Sequence, residues 1–298
     1  MMDLTFLFQL LINGLVTGSI YALVATGFVI IYKSSGALNL AQGEFLMVGA
    51  YLCLDLMIRW HVPFLPALLL TLAGAALLGL VIERMVLRPL LGSPVISVIM
   101  VTLGLAAVLR SSIQIAWGTD TIPFPEVFPA APVKFGAVPV APSQLYAVGC
   151  SALLLVLLSL FFRSTLTGLA LRATALNRQV ALSMGISVRR MFALAWAIAA
   201  IVSAVGGVLL GSIRGGIDMS LGHMGLKVLP VVILGGLDSL PGAIVGGLVI
   251  GVLENITGGY LDPILGGGVK EVVPPVALVL ILMIRPSGLF GTRKVDRV

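Results

Sequence analysis

The residues that call for an explanation are a handful of polar groups in a greasy chain. Glu44 lies in "GALNLAQGEFLMVGAY" (Gly36–Tyr51), where it is the one charged residue before a run of apolar side chains. A carboxylate there faces a bundle interior or water, or it starts a helix whose dipole favours negative charge, with Asn39 or Gln42 as local hydrogen-bond partners. A second stretch, "GGLDSLPGAIVGG" (Gly235–Gly247), repeats its spacing as Gly-x-Leu-[Asn/Asp]-x3-Gly. That aligns Asn39 with Asp238 and Gly43 with Gly242. Paired glycine- or proline-interrupted segments in two halves of a membrane chain point to a central pathway, although two glycine turns at a membrane face would share the same spacing. Asn39, Gln42, Gly43, Glu44, Asp238 and Gly242 are therefore the candidate path residues. Arg110 and Glu254 also stand in apolar runs, where snorkelling to an interface accounts for them.

The second polar feature is "RATALNRQVALSMGISVRR" (Arg172–Arg190). It carries four arginines with Asn177 and Gln179 and no acid; Arg163 lies upstream, and no Asp or Glu occurs between Glu126 and Asp218. Leu176, Val180 and Met184 fall at i, i+4 and i+8, one stripe of a helix, with Arg172 and Gln179 off the stripe. Gly185 follows as a C-cap. The pattern predicts a short amphipathic helix over Thr174–Met184, too short to span a membrane and suited either to lipid headgroups or to a groove on a partner protein.

Other chemistry is not encoded. The chain has no Gly-x4-Gly-Lys-[Ser/Thr], no Gly-x-Ser-x-Gly and no His-Glu-x2-His, so neither an ATP site nor those hydrolase sites are expected. His61 and His223 are the only histidines, and Cys53 and Cys150 form no motif, so no metal site, disulfide framework or resident cofactor is expected.

The elements that must position these residues are membrane helices. Of 298 residues 59% are hydrophobic and 10% charged, where soluble chains carry about a quarter charged; mean hydropathy is +1.15. Continuous apolar runs at Leu4–Ile31, Pro63–Ile82, Val95–Gly118, Gln144–Phe162 and Met191–Ile213 approach or pass the ~20 residues of a bilayer span. Their length favours helices over barrel strands. The expected fold is an all-α polytopic bundle forming one permeation domain over 1–298. Shorter segments near Phe45–Met57, Leu226–Gly236, Ala243–Ile256 and Val272–Ile284 bring the count to eight or nine. Leu226–Gly236, about 16 Å long, reads as a half-helix. Gly14-x3-Gly18, Gly207-x3-Gly211, Gly242-x3-Gly246 and Gly247-x3-Gly251 suit close helix packing.

The net charge of +6 belongs to topology rather than to nucleic acid. Basic clusters at Arg84 and Arg88, at Arg163 to Arg190, and at Arg285, Arg293, Lys294 and Arg297 all favour the cytoplasm. This puts the loop 163–190 and the C-terminus inside, and the N-terminus outside. No basic residue precedes Lys33, so the first span lacks a signal-peptide n-region and is expected to stay as an anchor.

Taken together, "NGLVTGSIYALVATGFVIIYKSSGALNLAQGEFLMVGAY", "ERMVLRPL", "RATALNRQVALSMGI", "VILGGLDSLPGAIVGGLVIG" and "RPSGLFG" resemble the permeases of branched-chain (hydrophobic) amino acid ABC importers, in the family's order from Asn13 to Gly291. The shorter of the two permease types is the better match. The resemblance implies a transport subunit of the bacterial inner membrane. Its partners would be a homologous second permease, two cytoplasmic ATPases holding ATP and Mg, an external substrate-binding protein, and membrane lipid. It implies an ATPase-coupling helix with a Glu-Ala-Ala-x3-Gly signature, matched here at Gln179, Val180, Ala181 and Gly185, with departures at Gln179 and Val180. Arg172, Leu176, Asn177 and Met184 complete that surface. Leu40 and Gln42 stand where the family commonly has Phe and His. Relatives carrying urea, short amides or aromatic acids share the pattern, and a stand-alone secondary transporter or channel is the rival reading.

Overall fold

The computed structural model describes residues 4–90, 92–129, 131–135, 138–285 and 288–291; Arg293, Lys294 and Arg297 lie outside them. Eleven α-helices occur among the described residues: α1 (Leu4–Ser35), α2 (Gln42–Ile58), α3 (Phe64–Ile82), α4 (Val95–Trp117), α5 (Pro142–Ser164), α6 (Leu166–Leu176), α7 (Arg178–Ser183), α8 (Val188–Arg214), α9 (Met224–Gly235), α10 (Leu240–Leu265) and α11 (Val269–Ile284). Six are long and apolar enough to cross a membrane, α3 by continuing through a π and a 3-10 turn to Leu90. The continuation is held by Arg88, which folds back onto buried Glu83 at 3.0 Å. With α2, α9 and α11, which have 17, 12 and 16 residues, nine apolar segments run through the bundle. Each expected span has its helix, within a few residues at either end except for Ala243–Ile256, which runs on to Leu265 in α10.

The most buried spans are α1 and α8, with 89% and 78% of their apolar windows inside, against 17% for α4. They form the centre, and small residues let neighbours approach them. Gly18 of α1 faces the Gly247 carbonyl of α10, where an added Cβ would lie 2.8 Å from the oxygen, and Gly14 faces Val252 Cα at 2.7 Å. The expected GxxxG contacts at 14, 18, 247 and 251 thus form a single α1–α10 seam. On the other side, Gly79 of α3 abuts Trp196 of α8 in the same way. The shorter helix α2 packs on α8, through Gly49 against Ala204 and Gly207 against the Leu46 carbonyl.

These contacts pair up. As α1 lies on α10, α8 lies on α3; as α2 touches α4, α9 touches α11. The units α1–α4 and α8–α11 therefore repeat one arrangement, entered from opposite ends of the bundle. At the end carrying the N-terminus of α1, the α4–α5 loop forms short strands. β1 (Ile122–Pro123) pairs antiparallel with β4 (Gly216–Ile217), and β2 (Val133–Phe135) with β3 (Val138–Val140).

Candidate functional site

The first break begins where α1 stops. Gly36 takes φ +73°, a left-handed conformation that glycine adopts without penalty. Residues 36–41 turn back into the bundle without helix. Their polar groups are paired locally: Asn39 Oδ1 accepts from the Ala41 amide at 3.1 Å, and the Leu40 amide donates to Thr102 Oγ1 of α4 at 3.3 Å. Gln42, the first residue of α2, donates to Ser203 Oγ of α8 at 2.6 Å and accepts from Asn39 Nδ2 at 3.1 Å. Its amide sits against Gly27 of α1. Gly27 precedes Ser35 by eight residues, so α2 starts about 12 Å inside the end of α1. Non-helical backbone is tolerated at that depth only when buried in protein or lining a cavity, and here it is buried.

The second break follows α8. Gly215 takes φ +68°, Asp218 Oδ1 accepts from the Ser220 amide at 3.0 Å, and a 3-10 turn over Met219–His223 leads into α9. Gly36-x2-Asn39-x3-Gly43 and Gly215-x2-Asp218-x3-Gly222 thus share sequence spacing, left-handed first glycine and Asx turn. The Gln42 amide to Asn39 carbonyl bond and the Leu221 amide to Asp218 carbonyl bond are both 3.3 Å. The two breaks meet at their second glycines. Gly43 lies against the Gly222 carbonyl, and its Cβ position is 2.7 Å from the Gly225 amide nitrogen.

This corrects the alignment of Gly36–Tyr51 with Gly235–Gly247. Asp238 lies in the α9–α10 turn, where it lines a cavity of ≈ 490 Å³ with Lys33, Arg172 and Arg178. Gly242 is in the first turn of α10, packed on Gly235 at the end of α9. Neither reaches the meeting point. In a chain with 35 glycines such a spacing recurs, and only the contact between the breaks separates the true partner from another helix connection. The expectation for Asn39 and Gln42 changes too. They are 1% and 0% exposed, bond to each other, and Gln42 ties the break to Ser203 of α8, so they hold its shape.

Glu44, 3% exposed, begins α2 beside this contact. Its Oε1 accepts from Arg110 Nη2 of α4 at 2.6 Å, while Oε2 is buried without a partner. Gly222 leaves room for the pair, since a Cβ there would lie 2.5 Å from Glu44 Oε2 and 3.0 Å from Arg110 Nη2. Arg110 therefore does not snorkel to an interface: its Nη2 is held by buried Glu44, while its side chain stays 35% exposed. Glu254 of α10 likewise turns inward, accepting from Tyr21 Oη of α1 at 2.8 Å. Sequence reasoning did not pair Glu44 with Arg110, although two opposite charges alone in apolar runs were a visible signal. Ser203, Gly222 and Arg178 carried none. No cluster of three His, Cys, Asp or Glu side chains occurs among the described residues.

The basic loop is built as two helices rather than one. The expected helix over Thr174–Met184 is broken at Asn177, whose φ of −154° ends α6 and whose Oδ1 caps α7, accepting from the Gln179 and Val180 amides at 3.0 and 3.1 Å. Asparagine is a strong N-cap because its side chain replaces missing backbone acceptors, and that preference overrode the apolar stripe. Arg172 and Leu176 consequently belong to α6, and Val180 and Met184 to α7 and its cap. The C-cap expectation holds: Gly185 has φ +81°, its amide bonds Leu182 O, and the Ile186 amide bonds Ala181 O at 3.0 Å, a Schellman closure. Ala181 is buried, whereas Leu176, Val180, Leu182 and Met184 are 89%, 57%, 58% and 77% exposed. Arg178 ties α7 to the bundle, its Nη2 donating to the Ser34 carbonyl at 3.1 Å and to the Ser35 carbonyl. These are the last carbonyls of α1, directly before the first break.

Comparison with known proteins bears on this arrangement. Residues 10–284 match the family model described as branched-chain amino acid transport system / permease component. The high-affinity branched-chain amino acid transport system permease protein LivH of Escherichia coli K12 is 31% identical over 97% of both chains. The corresponding BraD protein of Pseudomonas aeruginosa is 30% identical over 97% of both. A probable LivH permease of Methanocaldococcus jannaschii is 27% identical over 95% of this chain and 92% of the other. Among solved structures, a chain of PsaBC from Streptococcus pneumoniae in complex with Fab superposes with TM-score 0.51 at 15% identity, covering 92% of this chain and 91% of that one; it shares the fold.

Proposed function

This chain belongs to the family of branched-chain amino acid ABC transport permeases, and we propose that α7 is its ATPase-coupling helix and the meeting of its two breaks the moving centre of its translocation path. It is a multi-pass membrane transport subunit, not an enzyme. Its partners in this reading are a homologous second permease, two ATPases that hold ATP and Mg, and an external binding protein that delivers branched-chain or other hydrophobic amino acids.

The observation that carries the reading is the Arg178 tether. One end of α7 presents an uncovered apolar rim, Val180, Leu182 and Met184, and the other end grips the last carbonyls of α1. A groove on an ATPase that holds α7 differently before and after ATP binding shifts the equilibrium only by that difference in affinity. Through Arg178 that displacement reaches Gly36, and through residues 36–41 it reaches the glycine contact at Gly43. The same assignment orients the chain. Lys33, Arg172 and Arg178 gather at the α7 end, as cytoplasmic basic residues do. In this reading the N-terminus of α1 lies outside.

The test is co-purification of the tagged chain from its native membrane with partners identified by mass. Two ATPases and a second permease support the reading; titrating the accompanying binding protein with ligands then identifies the substrate. A chain that emerges alone, with uptake that persists without ATPase, refutes it in favour of a stand-alone transporter.

A further inference from the structure

We propose that Arg110 reads the substrate's carboxylate in the translocation path, an assignment that rests on the amino-acid permease reading above. Arg110 is the sixteenth residue of the 23-residue α4, roughly 22 Å from its Val95 end and about 10 Å from its Trp117 end. It lies well inside the span. Its side chain is 35% exposed, while that of its partner Glu44 is 4% exposed. The carboxylate is therefore sealed in the protein, while the arginine side chain is partly open, its Nε buried without a partner. One of its five N–H groups is spent on Glu44 Oε1.

An arginine partly open at this depth does not face lipid tails, because a cation there is costly. Its surroundings agree. Gln114, one turn along the same face, and Ser111 are exposed, as is His223 at the second break, next to Gly222. Polar groups gathered round a charge at this depth mark a water-filled or protein-covered side. An amino acid crossing such a path keeps one negative group, its α-carboxylate, and a guanidinium already fixed by a buried acid is a preorganised partner for it. Glu44 holds Arg110 in place, and Glu44 itself sits on the first break beside Gly43. Rearrangement of the glycine contact would then move the reading group with it. Glu44 is a positioning residue, and Arg110 the one that touches substrate.

The experiment uses the complete importer with its binding protein in liposomes, with radiolabelled leucine as probe. It compares Arg110→Lys, the neutral pair Glu44→Gln/Arg110→Gln, and the swapped pair Glu44→Arg/Arg110→Glu. Uptake is normalised to the amount of second permease that co-purifies. Expected results are a few-fold loss in Arg110→Lys and more than tenfold losses per assembled complex in both paired variants. The swap restores the ion pair yet turns an acid towards the carboxylate. Uptake within twofold of wild type in either paired variant overturns the assignment, because the pair is then structural. A loss that merely follows the loss of co-purified second permease also overturns it, making Arg110 a subunit contact. Wild-type complex that hydrolyses ATP but moves none of leucine, isoleucine, valine, methionine and phenylalanine refutes the amino-acid reading itself, and the carboxylate assignment falls with it.

Discussion

Replacing Gly43 by alanine tests whether the two breaks work in contact. The new Cβ would press on the Gly222 carbonyl oxygen and lie 2.7 Å from the Gly225 nitrogen and 3.0 Å from its Cα. All three are backbone atoms, so no side chain can swing away, and the breaks must separate. Overpacking of this kind costs about 1–3 kcal/mol. Alanine's better helix preference returns about 0.5–1 kcal/mol. The net of about 0–2.5 kcal/mol, centred a little above 1 kcal/mol, weighs against the packed arrangement, a factor of roughly 5–10 in its population at the centre. The same contact seen from the other side gives Gly225→Ala, whose Cβ would lie 2.7 Å from Gly43 Cα. Since both substitutions push on one contact, the double variant should lose less than the sum of the singles. Gly104→Ala in α4 is the control, because nothing lies within 4 Å of its Cβ position. The assays are ATP-driven leucine uptake in liposomes and thermal melting of the purified complex. Gly43→Ala and Gly225→Ala should each lower Tm and cut uptake several-fold, and Gly104→Ala should do neither. Wild-type uptake and melting in Gly43→Ala, or equal damage from Gly104→Ala, would show that the packed breaks are not a working contact.

Three substitutions at the basic end probe the link to the ATPase. Asn177→Ala removes the cap of α7, at a cost of about 1 kcal/mol to that helix; ATPase retained on the tagged chain through a salt wash should fall several-fold, and undiminished retention would count against α7 as the docking element. Arg178→Ala cuts the tether while leaving the exposed rim intact, so ATPases should still co-purify while uptake per ATP hydrolysed drops; Arg178→Lys should recover part of it, and an unchanged coupling ratio in Arg178→Ala would refute the lever. Gly185→Asp puts a side chain at φ +81°, strained for any residue with a Cβ, and a charge on the docking surface. It should leave the chain in the membrane but uncoupled, and normal co-purification with normal transport would sink the coupling-helix assignment.

What could be read from the sequence followed from periodicity and what could not followed from depth. Spans such as Met191–Ile213 and the half-length of Leu226–Gly236 were legible because bilayer thickness fixes how many apolar residues a helix needs. Asn177 was misread because a cap and an interior residue look alike within an apolar stripe, and the difference lies in backbone dihedrals. The repeat shows the same limit more sharply. Gly36–Gly43 has several matches by glycine spacing, among them those ending at Gly222, Gly242 and Gly266, and sequence offers no reason to prefer the first. The structure prefers it because Gly222 and Gly225 touch Gly43, whereas Gly242 packs on Gly235. Once the partner is Gly222, Glu44 acquires a neighbourhood. Gly222 is the residue whose missing Cβ makes room for the Glu44–Arg110 pair. A break entered from one end of the bundle thus shelters the carboxylate that begins the helix after the break entered from the other. Neither unit builds that site alone, and a motion that parts the two breaks must also alter how Arg110 is held.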